Sequence, residues 1–165
     1  MSVDQVLKSL SEQVAAHDRL RFGGSGSKAG FLPAFDGPTI SAPSGVLSFD
    51  KEDQVVEAWA GTSIEELQTE LASAGQCLPL SDRSSLLAGI PGTIGGLLAA
   101  NLPHDLFAQL GSPRDWTLGI TLVRADGTSA KSGSKAVKNV AGYDVHNLLI
   151  GSRAVSYTHL RAHET

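Results

Sequence analysis

Valine or leucine at positions 3, 6, 7, 10 and 14 falls on one stripe at helical spacing, which predicts an amphipathic helix over residues 3–16. Leu20–Phe22 reads as a short strand ending at Gly23. Extended pieces follow at Thr39–Ala42, Val46–Phe49 and Gln54–Ala60, set apart by the turn residues Pro38, Pro43-Ser44-Gly45 and Asp50-Lys51-Glu52-Asp53. Thr62-Ser63-Ile64-Glu65 is a capping-box pattern that starts a second helix. Its apolar stripe is Ile64, Leu67, Leu71 and Ala74, and Gly75 stands where a left-handed cap is expected.

Beyond a connector at residues 81–89 the pattern resumes. Thr93–Asn101 reads as a helix whose first turn, at Gly95-Gly96, carries no bulky side chain. Trp116, Leu118, Ile120 and Leu122 alternate with Thr117, Gly119, Thr121 and Val123, giving a strand packed on at least one face. Asp126-Gly127 predicts a tight turn, with Thr128–Ser132 returning as the partner strand. The elements fall into a small α/β lobe over residues 1–88 and a second lobe over 89–153. No internal repeat is visible.

A chain of 165 residues, 41% hydrophobic and 18% charged, is long and apolar enough to bury a core, which excludes a disordered segment. The net charge of −4 offers no broad basic surface, so nucleic acid is not an expected partner and any phosphate must be held locally. The single cysteine, Cys77, has no internal disulfide partner and reads as a buried apolar thiol in a reduced, cytoplasmic setting. The first residues lack the basic start and apolar core of a signal peptide, and no segment reaches membrane-spanning length, so a soluble protein is expected.

Eighteen glycines are more than usual, and they gather in a few loops next to apolar elements. Gly23-Gly24-Ser25-Gly26-Ser27-Lys28 directly follows a strand and reads either as a flexible surface turn or as a phosphate loop. It is neither a strict dinucleotide fingerprint, since Ala29 stands at the third glycine position, nor a Walker loop, since Lys28 is not followed by Ser or Thr. Pro91-Gly92-Thr93-Ile94-Gly95-Gly96 opens a helix whose free amides and dipole favour an anion, and close packing of that helix on a neighbour explains the same glycines equally well. Lys131, Lys135 and Lys138 read as a solvated hairpin edge or as phosphate attractors. His17, His104, His146, His159 and His163 show no metal-ligand spacing, so no metal site is expected.

Arg21–Lys28, the Gly-Thr-Ile-Gly-Gly turn, Arg114-Asp115-Trp116-Thr117-Leu118-Gly119, the Asp126-Gly127 hairpin and Lys138-Asn139-Val140-Ala141-Gly142-Tyr143-Asp144 occur in the order found in one family. Over residues 3–153 the chain resembles the FAD-binding domain of the vanillyl-alcohol oxidase and p-cresol methylhydroxylase superfamily, and within it the E subunits of bacterial glycolate oxidases. The resemblance implies an α+β fold of the PCMH type, two-lobed, with FAD extended between the lobes. It implies that Gly23, Gly24, Ser25, Gly26, Ser27 and Lys28, with Pro91, Gly92, Thr93, Gly95 and Gly96, hold the pyrophosphate, and that a segment containing Asn139, Gly142 and Tyr143 lines the flavin. Tyr143 as an ordinary core aromatic stays open beside that role. No histidine lies at the loop position that carries covalent flavin in some members, so non-covalent FAD is implied. The activity implied is oxidation of glycolate or a similar D-2-hydroxy acid, with electrons passing to partner subunits, a second flavin subunit and an iron-sulfur subunit among them. An FAD-carrying subunit that supports a catalytic sister chain, and a non-flavin nucleotide binder using residues 23–28, are the alternatives.

Family members continue after Gly151-Ser152 with more of the flavin domain and a substrate-side region, whereas residues 154–165 here resemble translated sequencing-adapter read-through, a tail expected to lie outside the fold. Two consequences are expected: no catalytic residue can be named, and missing strands leave an unpaired sheet edge beside the FAD cleft.

Overall fold

The first helix begins where Ser2 can cap it: its hydroxyl accepts from the Gln5 amide while the Gln5 side chain accepts from the Ser2 amide, closing both ends of a capping box. This helix, α1 (Val3–Ala15), turns Leu10 and Val14 inward. The computed structural model describes residues 2–31, 33–79, 90–101, 107–134 and 145–152, and the backbone of 157–161 and 163–164. Strand β1 (Arg21–Gly23) follows and pairs in parallel with β2 (Thr39–Ser41), with Phe22 opposite Ile40. Ile40 closes over Leu10, Val14 and Val123, with Val6, Leu20 and Phe22 at the margin of that cluster.

Two further strands, β3 (Val46–Asp50) and β4 (Val55–Trp59), form a hairpin. Helix α2 (Ile64–Ala72) then buries Ile64, Leu67 and Leu71, the stripe its sequence predicts. Its cap is Ser63, whose hydroxyl accepts from the Glu66 amide, and not Thr62 as the capping pattern suggests. Thr62 is fully buried and bonds both backbone groups of Gly45 instead. Gly75 takes φ +69°, the left-handed conformation expected of it. Short strand β5 (Gln76–Cys77) leads into Leu78, which the Gln68 side chain grips at both its N–H (3.0 Å) and its C=O (2.7 Å).

Helix α3 (Ile94–Ala100) inserts Ile94, Leu97 and Leu98 into one cluster with Val56, Ala58, Ile64, Leu67, Leu71 and Leu78. Two short helical turns, α4 (Phe107–Leu110) and α5 (Pro113–Trp116), precede β6 (Thr117–Val123), which turns at Asp126-Gly127 into β7 (Ser129–Gly133). Trp116, read from the alternation as the first strand residue, belongs to α5, where Pro113 and the Ser112–Asp115 box hold a helical turn. Helix α6 (Val145–Leu149) is tied to α3 by the Gly151 amide, which donates to the Leu98 carbonyl, and to α5 by Arg114, which donates to the Ile150 carbonyl. Both apolar clusters draw residues from either side of the lobe boundary expected near residue 88.

One difference from expectation stands out in the sheet. Residues 157–161, within the stretch expected to lie outside the fold, form β8, and 163–164 form β9. The sheet order is β3-β4-β8-β6-β7, with β8 antiparallel to both neighbours, so the expected open edge is occupied. The reason is backbone satisfaction: β4 and β6 are largely buried and do not pair with each other, and their facing N–H and C=O groups need a strand between them. With helices and small antiparallel sheets in one chain, the α+β class of a PCMH-type FAD-binding domain is met.

Candidate cofactor site

Pairing of β1 with β2 delivers the first glycine loop. Gly23 lies so close to β2 that a Cβ there would stand 2.8 Å from the Thr39 methyl. The loop then turns outward: Gly26 adopts φ +84°, its carbonyl accepts from Ala29, and a single 3-10 turn (Ala29–Phe31) ends it. Gly24, Ser25 and Gly26 are exposed, Ser27 and Lys28 half-buried. Among the described residues, no hydrogen bond reaches the amides of Gly24, Ser25, Gly26 or Ser27. Four consecutive main-chain donors, all at glycine or serine with little bulk above the backbone, suit an anion that must approach closely.

The second glycine turn runs against the first. A Cβ on Gly24 would fall 2.6 Å from Thr93 Oγ1 and 3.3 Å from its methyl, so the two loops meet at this point. Thr93 is held from behind. It bridges Ser63 in an isolated antiparallel pair, the neighbouring Gly92 carbonyl accepts from the Ile64 amide at 2.9 Å, and Thr93 Oγ1 caps α3 by accepting from Gly96. Pro91 is exposed, whereas Gly92, Thr93 and Gly95 are buried.

Here the structure corrects the reading of the second turn as a source of free helix-end amides. Ile94 donates to the Thr62 carbonyl (2.9 Å), Gly95 to the Ala60 carbonyl (2.8 Å) and Gly96 to Thr93 Oγ1 (3.2 Å). The helix start is satisfied internally. Gly95 is glycine for packing: a Cβ would stand 2.8 Å from Ala60 Cβ and 2.9 Å from the Ala60 carbonyl. Behind Ala60 the layering repeats, because Gly61 donates to Pro43 and a Cβ on it would collide with the Ala42 carbonyl. Three backbone segments, 43–45, 60–62 and 93–95, are thereby stacked and bonded in sequence. Thr62, Ser63 and Ala60 are the supporting residues that motif reading passed over, and only the Thr-Ser pair ahead of a helix hinted at them.

Asn139, Gly142 and Tyr143 lie outside the described residues. Their flank is fixed nearby: His146, buried in α6, donates its amide to Ser132 Oγ (3.0 Å), and the same hydroxyl lies 3.2 Å from its Nδ1. At the far end of β1, Arg21 donates to the Pro33 carbonyl and lies 4.9 Å over the Phe35 ring. Two carboxylates are held below the usual carboxylate range. Asp115 is lowered by the Ser112 amide and then the Ser112 hydroxyl, and Asp126 by the Thr128 hydroxyl and then its amide. Both are exposed, Asp126 at the β6–β7 turn. Among the described residues there is no group of three His, Cys, Asp or Glu side chains able to hold a metal, and no helix is long and apolar enough to cross a membrane.

A strand-borne glycine loop meeting a second glycine turn in an α+β frame defines a class, and comparison with known families gives it its name: a model of the FAD binding domain matches residues 1–133, and the chain belongs to that family. FAD is its cofactor, and the chain is a flavoprotein related to oxidoreductases. Among individual proteins it is 31% identical over 149 residues to glycolate oxidase subunit GlcE of Escherichia coli (strain K12), covering 89% of this chain and 42% of that one. It is also 28% identical over 134 residues to the D-lactate dehydrogenase of Archaeoglobus fulgidus, covering 81% of this chain and 29% of the relative. With the mitochondrial D-2-hydroxyglutarate dehydrogenase of Rattus norvegicus it shares 31% over 134 residues, 79% of this chain and 24% of the relative. The chain thus spans less than half the length of these relatives.

Proposed function

We propose that the chain is the FAD-holding part of a flavoprotein oxidoreductase that oxidises glycolate or a similar small D-2-hydroxy acid to the 2-oxo acid. The contact between Gly24 and Thr93 carries this reading, because it makes one seat of two loops distant in sequence. In this seat the amides of Gly24, Ser25, Gly26 and Ser27 point hydrogen-bond donors at the diphosphate, with Lys28 as an added positive charge. Thr93 forms the wall, and Pro91, Gly92, Gly95 and Gly96 set its position through the backbone. Asn139, Gly142 and Tyr143 line the flavin. Bound non-covalently, FAD supplies a two-electron acceptor. A diphosphate removed from water needs several oriented donors, and charge-assisted hydrogen bonds of this kind are about twice as strong as neutral ones.

The substrate class follows from the relatives, whose names all specify small hydroxy acids or glycolate. One of them is named as a subunit, which supports assembly with further chains; a second flavin subunit, an iron-sulfur subunit and a cytoplasmic setting are part of this proposal and come from the family resemblance alone. A role as a non-catalytic FAD carrier within such an assembly is the second reading, favoured by the same name. The test is a full-length version purified alone and mixed anaerobically with glycolate: bleaching of the flavin absorbance supports oxidation by this chain, and retained colour supports the carrier role. For the seat itself, Gly24→Val in the full-length protein should weaken FAD binding at least tenfold while leaving circular dichroism unchanged. Unaltered affinity in a folded Gly24→Val variant would remove the seat from consideration.

A further inference from the structure

Strand β7 and helix α6 are joined by a pair of side chains that the diphosphate seat does not use. Ser132, near the end of β7, accepts the His146 amide on its hydroxyl oxygen at 3.0 Å, and the same oxygen lies 3.2 Å from His146 Nδ1. A serine hydroxyl carries a single proton. Its oxygen already accepts from the amide, and among the described residues Nδ1 is the acceptor left for that proton. Nδ1 therefore accepts, and the ring proton sits on Nε2. His146 is 5% exposed, so the pair is held away from competing water.

Both ends of this clasp are anchored. On the β7 side Gly119 and Gly133 stand opposite each other, and neither has room for a Cβ: one on Gly133 would collide with the Leu118 carbonyl, and one on Gly119 would stand 2.8 Å from the Ser132 carbonyl oxygen. Gly133 turns at φ +79° and Ser134 donates to the Leu118 carbonyl at 3.2 Å, which fixes the exit from the strand. On the α6 side Gly151 donates to the Leu98 carbonyl of α3, the helix that Thr93 caps. A bonded route thus runs from the wall of the diphosphate seat along α3, through α6 to His146, and across to Ser132. Residues 135–144 connect the two partners in sequence and include Asn139, Gly142 and Tyr143. We infer that Ser132 and His146 are positioning residues for the flavin, setting where that connecting stretch stands relative to the diphosphate seat, which rests on reading Asn139, Gly142 and Tyr143 as flavin contacts. A hydrogen-bonded stem removes conformational freedom from the connecting residues before the cofactor arrives, and such preorganisation raises affinity without a new contact.

The test uses the full-length protein with FAD. Ser132→Ala should weaken FAD binding roughly fivefold, the worth of one hydrogen bond, and change the visible circular dichroism of the flavin that remains bound. Ser132→Thr, which keeps the hydroxyl, should restore both. His146→Leu should match Ser132→Ala, and the double variant should be no worse than either. Parental affinity and a parental flavin signal in Ser132→Ala overturn the proposal. A lower melting temperature with an unchanged flavin signal overturns it as well, since that is what a purely structural clasp gives. Should Ser132→Ala not fold, His146→Asn, which keeps an acceptor near the Nδ1 position, is compared with His146→Leu. A flavin signal that stays parental in the first and changes in the second supports the positioning role; the same signal in both refutes it. Asn139→Ala separates this role from the reading beneath it. A flavin signal altered by Asn139→Ala and untouched by Ser132→Ala removes the clasp alone, and one indifferent to both removes the flavin-lining stretch too.

Discussion

The two glycine turns look alike on the page and behave oppositely in the fold. At Gly24–Ser27 the backbone is exposed and its amides have no partner among the described residues, whereas at Gly92–Gly96 the chain is mostly buried and the amides of Ile94, Gly95 and Gly96 are all bonded. Glycine serves the first by exposing donors and the second by letting two backbones touch, as the 2.9 Å approach of a Gly95 Cβ to the Ala60 carbonyl shows. The lesson is that glycine density marks close approach without saying what approaches. Here one turn leaves its amides open to solvent and the other spends them on the chain behind it.

Several substitutions can break that contrast. Gly95→Val should be the most damaging, destabilising the domain by about 3 kcal/mol and lowering the melting temperature by roughly 10 °C, since neither Ala60 nor its carbonyl has room to retreat. Its effect on FAD is secondary to that loss, so Gly95→Val cannot tell a flavin site from another nucleotide site. Gly24→Ala is the sharper probe. Its added methyl meets Thr93 Oγ1, and pairing it with Thr93→Ala should recover part of the lost FAD affinity if the two loops form one seat, a coupling readable in a double-mutant cycle. Additive losses would separate the loops. Next, Thr62→Val removes both hydrogen bonds to Gly45 from a fully buried site and should cost about 2 kcal/mol in urea denaturation, with the FAD loop untouched. Ser63→Ala, which strips the cap of α2 beside Thr93, should cost about 1 kcal/mol.

The smallest effect is acid dependence. Asp115 has a folded pKa lowered by its hydrogen bonds to Ser112, so its contribution is fully present above the unfolded carboxylate value, about 3.9, and disappears as pH falls through the lower folded value. Asp115→Asn should therefore lower stability modestly at neutral pH, with the difference from the parent chain constant down to about pH 4 and shrinking below it as the parent carboxylate is protonated. A difference that shrinks near neutrality would contradict this origin.

Much of the frame was legible from periodicity. The helix at Val3–Ala15, the stripe of Ile64, Leu67 and Leu71, and the Asp126-Gly127 hairpin all follow local patterns that tertiary contacts did not override. Three features were not legible, each for a physical reason. Thr62 and Ser63 both look like caps, and only the buried approach of Gly45 decides that Thr62 turns inward. Whether a helix-start amide is free depends on the carbonyl facing it, and those of Ala60 and Thr62 come from a segment more than thirty residues upstream. The place of residues 157–161 depends on an unfilled gap between two strands, which no property of those five residues announces.

The grip of Gln68 on both backbone groups of Leu78 has a consequence for the helix that bears it. One turn earlier on the same helix, the Ile64 amide donates to the Gly92 carbonyl, so a single helix moors both Leu78 and Gly92. Anything that frays or tilts α2 would therefore be felt at once at Leu78 in the core and at the backbone next to Thr93, which makes this one helix the mechanical link between the apolar cluster and the second glycine turn.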